Sequence, residues 1–350
     1  MFKLVHIKIY CIFVSIFLLS SCHDNSATIS EINPMKAETK VIVTNDNFVT
    51  AKTDRQMQKY VKRFSAFGKF FHSRWMYDLN NQDTKHVNLD TLYSYAIVDL
   101  TTPLDITMPE THGKYQSLMV VNQSHSITAY YAGKYTLTKS EVGSRYAFLV
   151  IRTFIDHTDK ESLLIAHKLQ DSVLLKQESI GEFSVPEYDE ESFAKVNEKI
   201  LLTELDKDQL LEGYGQASKV DPEKNRYSAA FSWGGLPQKY AMYIFGNIKN
   251  DDGVTPHSLT VNDVPVDAFW SISIYNKRGY YEISDKAVYS INSTRLKKNV
   301  DGSITINFGN SGAINNLNIF KKWHYVVRLY KPQASLIDKQ WHFPSAEEIN

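Results

Sequence analysis

From residue 92 onward the chain is divided into short apolar runs, and their rhythm restricts the fold more than any other feature. Tyr93, Tyr95 and Ile97 alternate with Leu92, Ser94, Ala96 and Val98, and Thr102-Pro103 closes the run. A period of two belongs to a strand whose two faces meet different surroundings. Further runs cover 115–121, 127–131, 134–138 and 145–155, with Gly113, Gly133 and Gly143 between them. Strands this short and closely spaced favour antiparallel sandwiches over alternating βα units. A second series follows at 240–248, 258–261, 269–275, 287–291, 303–308 and 324–330. Within it, Asn299-Val300-Asp301-Gly302 carries the Asp-Gly step of a hairpin turn. The aromatic content, 21 Tyr, 18 Phe and 5 Trp, suits pleated, half-buried surfaces.

Helical periodicity interrupts the strands in three places. Met57, Tyr60, Val61, Phe64, Phe67, Phe71 and Trp75 predict an amphipathic helix over 53–75. Thr158-Asp159-Lys160-Glu161 reads as a capping box that opens a helix running to about 175. A further helix starts at Asp189, and the helical stretch ends near Gly213-Tyr214-Gly215. The expectation is a mainly β chain with helical connections. A first β-sandwich with its leading helix spans 51–185, a helical linker 186–215, and a second sandwich 216–350.

An export address precedes these elements. Lys3 and Lys8 flank the start of an apolar run over 9–19, and Leu19-Ser20-Ser21-Cys22 resembles a bacterial lipobox. The run is too short to span a hydrocarbon core of about 30 Å as a stable helix. A signal segment is expected at 1–21, lipid including palmitate on Cys22, and a polar tether over 22–50. Cys11 and Cys22 are the only cysteines, so cleavage leaves no thiol for a nucleophile, a zinc–cysteine site or a disulfide. His23, rather than an acid, follows Cys22, which favours sorting to the outer membrane with the body facing the periplasm. The expected membrane contact is therefore the lipid on Cys22, in a bacterial cell envelope. Charge is balanced, 39 Lys+Arg against 39 Asp+Glu, which excludes the basic footprint of a general nucleic-acid binder.

Several blocks of sequence resemble a known domain pair. Asn88 to Ser94, Gly143-Ser144-Arg145-Tyr146 running into Val150-Ile151-Arg152-Thr153, and Gln170-Asp171 are similar to domain-of-unknown-function family 1254. Trp233-Gly234-Gly235, the segment Val264 to Asn276, Gly279-Tyr280, Tyr289-Ser290-Ile291 and Trp323 to Tyr330 resemble its usual C-terminal partner, family 1214. The resemblance implies an N-terminal immunoglobulin-like β-sandwich followed by a C-terminal jelly-roll-like β-sandwich. It implies no reaction, and a fold alone supplies none.

No G-x-S-x-G elbow, H-E-x-x-H, phosphate loop or dinucleotide fingerprint occurs, and no two histidines stand at metal-ligand spacing. Neither a metal nor a cofactor is expected. Asn88, Asp90 and Tyr93 form the best constellation for chemistry. Asp90 is a candidate general base or an acceptor from Arg145 or Arg152, and Tyr93 a donor to a developing oxyanion. The simpler reading is that Asp90 organises a turn before the strand. His125 is a candidate acid–base group, as its ordinary pKa lies near neutrality, or else a solvated loop residue. Asn122 and Gln123 end an apolar strand, where polar tips line clefts. Trp233 suits a ligand platform or a packed seam between domains. Tyr275, Asn276 and Tyr289 could line a site for a sugar-like or peptide-like ligand.

Three readings follow. The first is a lipid-anchored envelope protein that binds a small molecule or glycan in a cleft between its two β domains. The second is an envelope hydrolase using Asp90 and His125 with Tyr93. The third is a structural component that self-associates through its sandwiches.

Overall fold

The computed structural model describes residues 39–349 except 83, 204, 247 and 285–287. The signal segment, the lipobox cysteine and the tether up to residue 38 lie outside the described residues. Helix α1 (Phe48–Phe64) is followed by β1 (Phe71–His72), β2 (Thr91–Asp99), β3 (Leu104–Met108), β4 (Gln116–Asn122), β5 (Ile127–Tyr130) and β6 (Gly133–Leu137). Next come α2 (Lys139–Val142), β7 (Tyr146–Phe154), α3 (Lys160–Asp171) and β8 (Leu174–Gln177). Three helices then lead onward, α4 (Glu190–Leu201), α5 (Lys207–Glu212) and α6 (Pro222–Ser232). The C-terminal half holds β9 (Ala241–Gly246), β10 (His257–Val261), β11 (Trp270–Tyr275), β12 (Ser290–Asn292) and β13 (Ile304–Phe308). It ends with β14 (Asn316–Leu317), β15 (His324–Tyr330), α7 (Ala334–Ile337) and β16 (Glu347–Glu348).

The fold is mainly β, as the alternation requires. A five-stranded sheet in the order β1-β2-β7-β4-β5 faces a three-stranded sheet, β6-β3-β8. Ala96, Val98, Leu118, Leu149 and Ile151 project from the larger sheet onto Leu104, Ile106, Met108 and Leu137 of the smaller. The opposite parity, Ile97, Met119, Val121, Phe148 and Val150, packs under a layer built from α1, α4, α5 and α6. Both faces are thus covered, and every residue of β7 is buried. In the C-terminal half, β12-β11-β15-β9 faces β14-β13-β10-β16, antiparallel except for the β13–β14 pair. Trp270, Ile272, Ile274, Val327 and Leu329 meet Leu259, Val261, Ile306 and Phe308 in that second core.

The remaining face of the β9–β15–β11 sheet turns toward the N-terminal half. Phe269 stacks on Tyr330 at 4.4 Å, and Phe154 and Tyr115 close on the same pair at 4.7 and 5.0 Å. Each such ring contact is worth roughly 0.5–1.5 kcal/mol beyond area burial. Polar bonds join the same seam: Asn88 Nδ2 donates to Tyr330 OH at 2.7 Å, and Tyr275 OH donates to Val87 O at 2.7 Å.

Two helix boundaries and one hairpin differ from the sequence-based expectation. Helix α1 stops at Phe64 because Ser65 takes a left-handed conformation (φ 51°) and Gly68 follows at φ 67°. Phe71 continues the helical spacing but instead pairs as a strand residue with Tyr95. Helix α3 is capped by Asp159, whose side chain accepts from Glu161 N, and it ends at Asp171. The end expected from sequence lies at about residue 175, but Leu174 and Leu175 instead open β8 against β3. The 299–302 turn forms with Gly302 at φ 87°, but it does not join a hairpin, because β12 and β13 belong to different sheets.

Candidate functional site

A cavity of about 1670 Å³ lies where the helical layer, the β2–β7 sheet and the β9–β15 sheet meet. Small-molecule sites are typically about 300–1,000 Å³, so this one admits a large ligand. Two arginines from the two facing sheets line it. Arg152 stands in β7 on the same face as Tyr146, Phe148, Val150 and Phe154, and is 8% exposed. Arg328 holds the corresponding place in β15 and is 3% exposed.

Their settings match across the cleft. Arg152 sits between Tyr93 of β2 and Ser117 of β4 in the strand register. Arg328 sits between Tyr243 of β9 and Ser271 of β11. Each sheet therefore presents a Ser–Arg–Tyr row, with the arginine central. Among the described residues neither guanidinium pairs with a carboxylate. Arg152 donates to Gly234 O at 3.4 Å and to Met119 Sδ at 3.6 Å, and lies 5.6 Å from the Tyr93 ring. Arg328 donates to His86 O at 2.6 Å, Tyr275 OH at 2.7 Å and Ser273 Oγ at 3.1 Å. Arginine keeps its charge in proteins, and a buried charge without a counter-ion costs several kcal/mol.

The phenols around these charges remain donors. Burial pushes Tyr95, Tyr243 and Tyr330 up from the ordinary tyrosine value, so each keeps its proton. The described lining also contains eight lysines and arginines against three aspartates, a surplus of positive charge. On the same wall, His86 Nε2 and His324 Nε2 approach to 3.0 Å, joining a loop of the N-terminal half to β15. No group of three or more metal-ligating side chains occurs among the described residues.

Of the sequence-derived candidates, Asn88, Tyr93 and Trp233 line the cavity, whereas Asp90, Asn122, Gln123, His125, Tyr275, Asn276 and Tyr289 do not. The turn before β2 is organised by Asn88, whose Oδ1 accepts from Asp90 N at 3.0 Å, and not by the Asp90 side chain. Asp90 is fully buried at the seam, where Asn292 Nδ2 donates to its Oδ1 at 3.2 Å. Burial outweighs the nearby Ser271 hydroxyl and Arg328 charge and pushes its carboxyl up. Arg145, one suggested partner of Asp90, instead pairs with Asp99 at 2.8 Å.

His125 is also fully buried, at φ 59°, with Trp233 and Tyr214 as ring neighbours at 5.7 and 6.0 Å. Its Nε2 accepts from Gly234 N at 3.0 Å, and burial lowers its pKa to about 3. A neutral ring held this way is a packing element. Asn122 Oδ1 gathers the N–H groups of Ser124 and Ser126, and Gln123 Nε2 donates to Asp54 Oδ1. Trp233 both lines the cavity and packs, donating its indole N–H to Thr53 Oγ1 at 3.0 Å. Tyr275 lies behind the wall, holding Arg328. Asn276 organises the turn at Arg278 and Tyr280, and Tyr289 OH bonds Ser284.

The two arginines were the residues that sequence reasoning passed over as a pair. Arg152 directly follows the apolar run Phe148 to Ile151 and Arg328 interrupts Tyr325 to Tyr330, and that interruption is the available signal.

Comparison with known proteins agrees with this architecture. The sequence matches "Protein of unknown function (DUF1254)" over residues 67–177 and "Protein of unknown function (DUF1214)" over 246–334. Among solved structures, the chain is similar to the VPA0106 protein from Vibrio parahaemolyticus, at 14% identity and a TM-score of 0.64. That likeness covers 88% of this chain and 100% of the other, and it bears on the fold. It is also similar to an uncharacterized protein from Burkholderia cenocepacia, at 14% identity and TM-score 0.48, over 87% and 88% of the two chains. No curated protein matches. The DUF1254 match ends with β8 and the DUF1214 match runs from the end of β9 into α7, one on each half of the fold. The chain belongs to the proteins of unknown function that carry a DUF1254 domain followed by a DUF1214 domain.

Proposed function

We propose that the protein binds an anionic ligand in the cavity between its two β halves, with Arg152 and Arg328 as charge anchors. The carrying observation is that both guanidinium groups are buried on the cavity wall with no carboxylate within 4 Å among the described residues, Asp90 being near Arg328 but not in contact with it. A ligand carboxylate or phosphate would supply the missing counter-charge, and bidentate Arg geometry matches either group. Tyr93 and Tyr243, the cross-strand neighbours of the two arginines, supply further donors from the same wall. This reading is favoured over hydrolysis through Asp90 and His125, because both of those side chains are closed to solvent and neither lines the cavity. The lipobox ending at Cys22 supports an envelope setting, with the binding body tethered through lipid at the outer membrane.

A thermal-shift screen of organic carboxylates and phosphate monoesters tests the reading. At about 100 times Kd, a ligand stabilises the folded state by about 2.7 kcal/mol, enough to raise the Tm by roughly 5 °C. At least one anion is expected to do so in the wild type and to lose the effect in Arg328→Met. Shifts that persist in the variant, or no shift from any anion, would contradict it.

A further inference from the structure

We infer that the ligand is an anionic amphiphile: one acidic head group on an apolar body, seated with the head at the arginines. The inference rests on the anion-binding reading and adds the chemistry of the rest of the molecule. It comes from the kinds of side chain that line one cavity and from their exposure. The least exposed charged residues of its lining are Arg152 and Arg328. The apolar part of the same lining includes Phe148, Phe64, Phe71, Leu205 and Leu211.

The rim carries a third feature. Trp75, Met76 and Phe231 all line the cavity and are 77%, 45% and 61% exposed. Single exposed apolar side chains are ordinary, but three on the lining of one cavity leave apolar surface there open to water at a cost. A purely polar acid, such as a sugar acid, would satisfy the arginines and leave Trp75, Met76 and Phe231 uncovered. An uncharged hydrocarbon would cover the rim and leave the guanidinium groups bare. A head-and-tail ligand satisfies both ends, and the cavity volume of about 1670 Å³ leaves room for its body.

Calorimetric titration of the full-length protein with a series of probes decides the point, each kept below its micelle-forming concentration. The probes are butyrate, octanoate, dodecanoate, dodecyl phosphate, dodecanol and glucuronate. Affinity is expected to rise about fourfold for each methylene buried. Dodecanoate or dodecyl phosphate should then bind at least tenfold more tightly than dodecanol, and the tighter of the two identifies the head group. If butyrate or glucuronate binds as tightly as dodecanoate, the amphiphile inference fails while anion binding stands. If dodecanol equals both dodecyl acids, the anion reading itself fails. Absence of binding by both dodecyl acids overturns the inference.

Discussion

Two buried ionisable side chains, Arg152 and His125, are held in opposite charge states. Arg152 is charged, desolvated and weakly bonded, so it is a cost to the free protein. Replacing such a group by an apolar residue of similar volume is often neutral or stabilises by about 1–4 kcal/mol. Arg152→Met is therefore expected to keep or raise the urea midpoint while weakening anion binding at least tenfold. A structural arginine would instead lose stability on the same substitution. His125 is buried and neutral, and its contribution depends on pH. Its folded pKa of about 3 lies below the ordinary 6.5, so the unfolded chain binds more protons between those values. Stability from this residue is complete above about pH 6.5 and is lost as pH falls toward 3. At pH 5 the loss is roughly 2 kcal/mol. His72 and His157 are lowered in the same sense, whereas the raised carboxyls of Asp54 and Asp90 act oppositely. The clean comparison is thus with His125→Asn, whose amide tolerates the left-handed backbone. Urea titrations at pH 7 and 5 should show a smaller decline in the variant, and an equal decline would refute the assignment.

At the level of elements, alternation carried most of the information. In β2 and β7 the even and odd positions separate cleanly between the inner core and the helical side, as the period-two pattern of Leu92 to Val98 indicated. Strands β3 and β8 were less legible, because β8 is formed by pairing with β3 rather than by local preference. The role of α4 to α6 as a covering layer was also hidden, since an apolar helix face does not specify which sheet it meets. One polar junction pins three of these segments. Asp99 at the end of β2 accepts from Arg145 Nη2 at 2.8 Å, Thr101 N at 3.0 Å and Glu182 N at 3.3 Å. Burial opposes its charge, yet Arg145 and those N–H groups hold its carboxyl below the usual range. Asp99→Asn is expected to cost roughly 2 kcal/mol in urea denaturation. A change below about 0.5 kcal/mol would show the junction to be incidental, on the scale of ordinary surface substitutions.

For the whole molecule, the family resemblance and the mainly β architecture were readable from sequence, while the site was readable only in fragments. Asn88, Tyr93 and Trp233 reach the cavity, but the polar residues that looked most chemical, Asp90 and His125, serve the seam and the core. The reason is that polarity in a strand-flanking segment reports a turn or a buried bond as readily as a cleft. What assembles the site is the facing of two sheets from distant parts of the chain, which brings Arg152 and Arg328 to one cavity. That juxtaposition depends on contacts such as Asn88 with Tyr330, 242 residues apart, which no local pattern encodes. The central claim is that these two arginines bind an anion, and calorimetric titration of dodecanoate into wild type and the Arg152→Met/Arg328→Met double variant tests it most directly. The account predicts binding in the wild type and a loss of at least 100-fold in a variant whose circular dichroism spectrum is unchanged. Equal affinity in the two proteins would contradict it.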